Sequence, residues 1–295
     1  MKISENNYPV LFFGESSWVV LPAGPQAGGY PVNVAGHIKI LGINPAIITR
    51  VGLDDQGKKL IGFMEGRKLS TDFFQVDYEA LTGSGDSGYS SPAISGSGNH
   101  LQAWDNIAWD PSFESLVAEA RFLVHGSLPA RSAVSRNTLY KFIETGVQRV
   151  FDVHLRAPFY TRKLIEDCLT GTFILKLNTD ELELITGWFT RFSSLQERMQ
   201  VLQDRFRIPY VILSRGSQGC LINASGSVHE HPGFGDDEEA PSAAEEAFVA
   251  GLLYQFLQNE TPENIIGYAC AMRSLVASSD GVSYDPDHIS KIMFK

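Results

Sequence analysis

Cysteine is scarce: the 295 residues include three, Cys168, Cys220 and Cys270, far apart in the chain. Their number and spacing give neither a disulfide framework nor a pattern of metal ligands, so a reducing cytoplasm is the expected home. Long apolar runs are lacking too. No stretch reaches the roughly 18 apolar residues of a membrane span, and the opening MKISENNYPVLFFGE has too short an apolar run for a secretory signal. The chain reads as a soluble intracellular protein with no membrane partner. Positive charge is in deficit, 24 Lys+Arg against 34 Asp+Glu for a net charge of −10. That balance excludes a nucleic-acid binder held by a basic face. What remains is a globular mix, 43% hydrophobic and 20% charged. A chain of this length buries roughly 75% of its unfolded surface and needs no covalent staple.

Short apolar runs alternate with longer stretches of helical period. Residues 10–13, 46–49, 121–124, 150–153, 172–176 and 210–213 read as short strands, and 32–41 and 56–64 as helices. Gly42 stands where a C-cap glycine is favoured. Residues 247–257 are apolar nearly all round and read as a buried helix, followed by a last helix over 262–277. Alternation of this kind predicts parallel βαβ units with helices on both faces of a sheet. The run TGSGDSGYSSPAISGSG, residues 82–98, breaks the rhythm and reads as a surface loop or as a lid over a ligand site. No repeat and no shift of composition marks a boundary, so one domain over 1–295 is expected.

Two motifs stand out near the N-terminus. GGYPVNVAGHIKILG (28–42) places Gly28 and Gly29 before a helix, where they permit close backbone approach and leave the helix start open to a polar ligand. Asn33 follows in the first turns. An ordinary loop-to-helix turn would look the same. RVGLDDQG (50–57) is a strand end passing into an Asp- and Gly-rich turn. Together, in this order and spacing, the two motifs resemble the N-terminal signature of the phosphofructokinase-B (PfkB, ribokinase-like) carbohydrate kinases.

The resemblance continues along nearly the whole chain. AWDNIAW (103–109), GSLPARSAVSRNT (126–138) and FDVHLRAPFY (151–160) are similar to the fructokinase branch. ILKLNTDEL (174–182) resembles its Asn-x-x-Glu segment, VILSRGSQGCLI (211–222) its nucleotide-side strand-turn-strand, and CAMRSLVASSDGVS (270–283) the helix and loop that flank adenine. The fold this implies is a ribokinase-like three-layer α/β/α sandwich with a mostly parallel sheet and a small β lid, built from segments near 17–26 and 70–103. The activity it implies is transfer of the ATP γ-phosphate to a hydroxyl of a fructose-like sugar or related polyol, with magnesium. Dimerisation through the lid is common in the family and is carried over as an implied possibility.

The resemblance also implies roles for particular residues. Gly28, Gly29, Asn33 and Arg156, the last in an Asp-x-x-x-Arg frame with Asp152, fall on the sugar side. The family's Gly-Glu-x-x-x-Asp pattern keeps Gly14 and Glu15 here but has Val19 for the Asp that takes two sugar hydroxyls. Asn178, Ser214, Gly216, Gly219, Ala243 and Ala244 fall on the nucleotide side. Glu181 would organise magnesium through water, although Asn178 with Glu181 also reads as a capping-box helix start.

The largest departure lies in the family's Asp-Thr-x-Gly-Ala-Gly-Asp pattern, where this chain has APSAAEE. Ala240 replaces the first Asp, Ala243 and Glu245 replace the glycines, and Glu246 takes the place of the base. Ser242 to Glu245 reads as a capping box, with the glutamate reaching back to the serine. A carboxylate there would oppose an incoming phosphate: like charges 4 Å apart repel by about 1 kcal/mol in water and about 4 at an effective dielectric of 20. Residues 236–239, DDEE, deepen the negative potential or form a solvated acidic loop. After Gly83 the lid region is poor strand material. His229 and His231 read as solvent-exposed or structural, while His154 stands where the fructokinase pattern often has Asn.

Two functional readings follow. One is an active sugar kinase. The other is a pseudokinase that binds a small polar ligand or a protein partner, with phosphoryl transfer weak or lost. A nucleoside kinase on the same fold fits the fructokinase-like segments less well.

Overall fold

The computed structural model describes residues 8–21, 24–86, 101–189, 191, 194–235, 242–278 and 284–293. For 19–21, 24, 25, 85, 86 and 242 it describes the backbone alone. The expectations placed on 87–100, 236–241 and 279–283 lie outside these residues. The chain divides into two compact units. Unit 1 comprises Met1–Lys39, Ile43–Arg149 and Leu155–Tyr160, and unit 2 comprises Ile40–Gly42, Val150–His154 and Thr161–Lys295.

The first unit runs β1 (Val10–Phe13), β2 (Ser17–Leu21), β3 (Gly24–Gly28), α1 (Tyr30–Ile40), β4 (Pro45–Gly52), α2 (Asp55–Gly66), β5 (Phe74–Asp77), β6 (Gly83–Asp86), α3 (Ser112–Glu119), β7 (Phe122–His125) and α4 (Ala133–Glu144). Four strands pair in parallel in the order β7-β1-β4-β5, with Val10 opposite both Phe122 and Pro45 and Thr49 opposite Phe74. All four residues of β1 are wholly buried, as an unbroken apolar run predicts for a strand covered on both faces. Each such side chain contributes about 1.5–3 kcal/mol of burial. A second sheet pairs β2 antiparallel with β3 and parallel with β6.

Gly83–Asp86 therefore forms a strand despite its composition, within the stretch that read as a surface loop or as a lid. The reason is close approach: a Cβ at Gly83 would stand 2.8 Å from the Ser16 carbonyl oxygen and 2.9 Å from Trp104 Nε1. Of the two stretches expected to build a lid, 17–26 supplies β2 and part of β3, and 70–103 supplies both β6, which joins β2, and β5, which joins β4 instead.

The VGLDDQG turn is explained by α2. Asp54 is its N-cap, with Oδ1 accepting from the Gly57 N–H at 2.7 Å, and it also binds Thr82 through backbone and hydroxyl, both at 2.8 Å. Gly57 packs against the Gly52 carbonyl, where a Cβ would come within 2.3 Å.

The second unit contains β8 (Gln148–Asp152) from Val150 onward, α5 (Arg162–Leu169), β9 (Ile174–Asn178), α6 (Thr179–Gly187), α7 (Leu195–Phe206), β10 (Tyr210–Ser214), β11 (Cys220–Ala224), β12 (Ser227–His231), α8 (Ser242–Gln258), α9 (Pro262–Ala277) and α10 (Asp287–Met293). Strands β8, β9 and β10 pair in parallel, and β10-β11-β12 continue antiparallel. Ala247, Phe248, Val249, Ala250, Leu252 and Leu253 of α8 are all buried, as the all-round apolar pattern predicts. No helix of the described residues is long and apolar enough to cross a membrane.

Candidate active site

The start of α1 organises the residues of interest in unit 1. Gly29 has a φ of +114°, and a Cβ there would lie 2.4 Å from the Glu15 carbonyl oxygen. The chain can thus fold back on itself at this point only with glycine. Gly28 is buried and Asn33 half-buried one turn into the helix, its N–H donating to the Gly29 carbonyl at 3.0 Å. The Tyr30 N–H, at the helix N-terminus, donates to Glu15 Oε1 at 3.3 Å. Burial pushes the Glu15 carboxyl above its ordinary value. Its own backbone N–H, Arg156, Tyr30 and Arg131 pull the other way without overcoming burial.

Two arginines thus bear on one buried acid. Arg131 is itself gripped by Asp105, Nε to Oδ1 at 2.7 Å with a second contact from Nη2 to Oδ2. Its guanidinium lies over the rings of Trp104 and Phe159, at 4.2 and 4.9 Å from their centres. This explains why AWDN and LPAR are distinctive segments: one supplies Trp104 and Asp105, the other Arg131. Neither Glu15 nor Arg131 was singled out as a site residue, although an acid and a base inside such short motifs were the available signal.

In unit 2, Asn178 and Glu181 form the reciprocal capping box foreseen as the structural alternative. The Glu181 N–H donates to Asn178 Oδ1 and the Asn178 N–H to Glu181 Oε2, both at 2.9 Å. The turn after Ser214 closes with the Arg215 N–H on the Gly219 carbonyl at 2.8 Å. Gly216 (φ +60°) faces open space apart from the tip of Arg273, whereas a Cβ at Gly219 would strike the His231 carbonyl oxygen at 1.9 Å. Packing against β12 is thus a sufficient reason for Gly219.

The first turn of α8 differs from its sequence-based reading. Glu245 uses its carboxylate on cations: Arg273 Nε lies 3.0 Å away and Lys176 Nζ 3.4 Å away, and Ser214 adds a hydrogen bond. The serine side chain of the expected capping box lies outside the described atoms, but the glutamate's strong partners are on β9 and α9. Lys176, nearly inaccessible on β9, is also 3.4 Å from Asp152, which in turn is 3.4 Å from His154 Nε2. Burial alone would lower the Lys176 pKa, but Asp152, Glu245 and Glu181 raise it well above the ordinary value. Burial alone would raise Glu245, yet Lys176 and then Arg273 hold it below. Ala243 is half-buried, Ala244 buried, and Glu246 2% exposed within the helix. Lys176 and Arg273 went unremarked in the sequence, though a lysine inside the apolar run FILKL was the visible sign.

Glu181 is committed to a helix cap beside a buried ammonium group, and the described residues hold no group of three His, Cys, Asp or Glu side chains that could bind a metal. A helix start whose positive end already holds a paired carboxylate suits an incoming polyphosphate poorly. At this helix start the Glu245 carboxylate is committed to Lys176 and Arg273.

Residues 15–289 match the model of the pfkB family carbohydrate kinases. A fructokinase of Klebsiella pneumoniae is 24% identical over 259 residues, covering 82% of this chain and 80% of its own. A probable chloroplastic fructokinase-6 of Arabidopsis thaliana is 26% identical over 255 residues; the match covers 77% of this chain and 62% of the plant protein. Among solved structures, the fructokinase with bound ATP from Xylella fastidiosa superposes with a TM-score of 0.82 at 18% identity, covering 97% of this chain and 98% of that one. The fold is the ribokinase-like α/β fold expected from the sequence.

Proposed function

The chain belongs to the pfkB family of carbohydrate kinases, and from that premise we propose that it recognises a fructose-like sugar or related polyol while its transfer of the ATP γ-phosphate is strongly attenuated. Gly28, Gly29, Asn33 and Arg156 carry the sugar side of this reading. On the nucleotide side Asn178, Ser214, Gly216, Gly219, Ala243 and Ala244 stand at the family positions, Ala243 in place of a glycine, with Glu181 at that of the magnesium residue and Glu246 at that of the base.

One observation carries the attenuation: Glu245, standing where the family motif has a glycine, is ion-paired to Arg273 and Lys176. Its carboxylate takes up the cations beside the helix start that family members reserve for phosphate. ATP brings several negative charges, and each near-contact with a carboxylate opposes binding by about 1–4 kcal/mol. Glu246 extends one methylene further than an aspartate, and a displacement of that order lowers the rate of proton transfer. Val19 leaves the sugar without the acid that would take two hydroxyls, so weak sugar affinity belongs to the same reading. Assembly through the small β2-β3-β6 sheet and residence in the cytoplasm complete the proposal.

The test pairs thermal unfolding in millimolar Mg-ATP with ADP release over a sugar panel that includes fructose. A ligand at 100 times its Kd stabilises by about 2.7 kcal/mol, a rise of several degrees. The expected result is no such rise and turnover far below the roughly 1–1000 s⁻¹ of ordinary enzymes. Turnover within that range on any sugar would restore the ordinary kinase reading.

A further inference from the structure

Cys220 opens β11 and sits opposite His231, the last residue of β12. Cys270, in the middle of α9, brings its Sγ to 3.4 Å from that of Cys220. Both thiols are buried, at 0% and 3% exposure. The His231 ring is half-buried: Nδ1 accepts from the Gly233 N–H at 3.1 Å, and the ring hydrogen-bonds the Cys270 thiol. The proposed activity assigns no role to this cluster of two thiols and an imidazole.

We propose that Cys270 and Cys220 are an oxidisable pair, a modification site at which a hydroperoxide converts two thiols to an intramolecular disulfide. The pair rests on its own geometry and stands whether or not the chain transfers phosphate.

The roles divide by environment. The hydrogen bond to Cys270, and then burial, hold the Cys220 thiol well above its ordinary value. The hydrogen bond to Cys270 likewise raises the His231 imidazole. Cys270, beside the His231 imidazole, attacks the peroxide, and Cys220 resolves. The Cys270 sulfur attacks the distal peroxide oxygen, and the O–O bond breaks. The departing oxygen takes the Cys270 proton as alcohol or water, leaving Cys270 as a sulfenic acid. The Cys220 sulfur then attacks the Cys270 sulfur, the S–O bond breaks, and water departs with the Cys220 proton. Two thiols lose two electrons and two protons; the peroxide becomes an alcohol or water, plus one further water. The new bond, about 2.05 Å long, ties α9 to β11. Arg273, which grips Glu245, stands one turn along from Cys270.

The full-length protein is treated with hydrogen peroxide and mapped by mass spectrometry without reduction, after alkylation of the remaining thiols. The expected product is a linked peptide pair joining Cys220 to Cys270, two hydrogens lighter and restored by dithiothreitol. Cys168, equally buried on α5, serves as the internal control and remains alkylatable. His231→Asn is expected to slow formation of the link several-fold. The proposal is overturned by loss of Cys168 at the same rate, by disulfides between chains, by a lone sulfinic acid in place of the link, or by no reaction in excess peroxide. An unchanged rate in His231→Asn would show that the imidazole does not assist the attack. The wild-type map alone decides the pairing, so the result does not depend on Cys220→Ser or Cys270→Ser folding.

Discussion

Glu245 on the first turn of α8 and Lys176 in the middle of β9 form an ion pair at 3.4 Å that joins the helix start to the strand beneath it. Lys176 is 4% exposed at its side chain and Glu245 31%, so the pair is rooted in the interior and open at one end. Asp152, wholly buried, takes the other side of the ammonium group, and Arg273 takes the other side of the carboxylate. The four groups alternate in sign. A helix N-terminus that lies beside two cations is an anion site by construction, and here the anion is supplied by the chain itself.

Removing that internal anion is the direct test of the proposed attenuation. In Glu245→Gly the first turn of α8 regains the small residue of the family motif and leaves Arg273 and Lys176 facing a vacated position. Mg-ATP is expected to raise the thermal midpoint of this variant by several degrees and that of the parent by none. Adding Ala243→Gly, Glu246→Asp and Val19→Asp should bring sugar-dependent ADP release that the parent lacks. A four-fold variant that folds but shows neither effect places the block elsewhere than at Glu245.

Much of this arrangement was legible in the sequence, and the reasons for the rest are physical. Val10–Phe13 and Pro262–Ala277 were readable to the residue because an unbroken apolar run and a Pro-led helical period are local signals. Asn178 and Glu181 announced a capping box because its partners are three residues apart. Glu245 invited the same local interpretation through Ser242. Its actual partners lie 69 positions back and 28 positions on, at Lys176 and Arg273. A pairing of that kind depends on which strand lies under the helix, which no local pattern encodes. The strand at Gly83–Asp86 was illegible for a similar reason, since what matters there is the absence of side chains at a close backbone approach.

Lys176 is expected to be the most costly single deletion in unit 2. Lys176→Met leaves Asp152 buried without its ammonium partner, and breaking a buried pair from one side costs about 3–5 kcal/mol. Lys176→Met combined with Asp152→Asn should recover a large part of that loss, because the stranded charge is then gone. Urea unfolding of the two variants measures both numbers. Equal stabilities for the single and double variants would show that Asp152 draws its support from elsewhere.

Glu245 and Glu15 should move stability in opposite directions with pH. Lys176 and Arg273 hold the Glu245 carboxyl below its ordinary 4.5 despite its burial. As pH falls, the unfolded chain therefore binds that proton first. The contribution of Glu245 is complete above about pH 4.5 and is lost as pH drops through the folded value. Glu15 is raised by burial, so the folded chain binds its proton first, and acidification from neutrality toward 4.5 stabilises. Glu245→Gln should flatten the acid limb of a stability-against-pH curve measured in urea, and Glu15→Gln should remove the gain on mild acidification. Identical limbs in parent and both variants would contradict these assignments.

Asp54 offers a prediction that separates folding from chemistry in the VGLDDQG motif. Its carboxylate takes three hydrogen bonds: from the Gly57 N–H at the start of α2, from the Thr82 N–H and from the Thr82 hydroxyl. The same hydroxyl accepts from the Gly52 N–H at 2.9 Å, so Asp54 ties the end of β4, the cap of α2 and the approach to β6 into one network. Loss of a helix cap alone costs about 1 kcal/mol, and a hydrogen bond to a charged group about 1.5–3. Asp54→Ala is accordingly expected to lose about 2–4 kcal/mol. Thr82→Val removes the hydroxyl but not the backbone donor and should cost less, about 1–2 kcal/mol, because a buried Gly52 N–H is left unpaired. The two side chains touch, so the double variant should fall short of the sum by about 1 kcal/mol. Strict additivity in urea unfolding would mean that Asp54 and Thr82 act independently and that the motif is a helix cap alone. Coupling would make it the latch that brings Gly83 into its close approach to Ser16, and the same double variant should then expose the β2-β6 edge to limited proteolysis before the rest of unit 1.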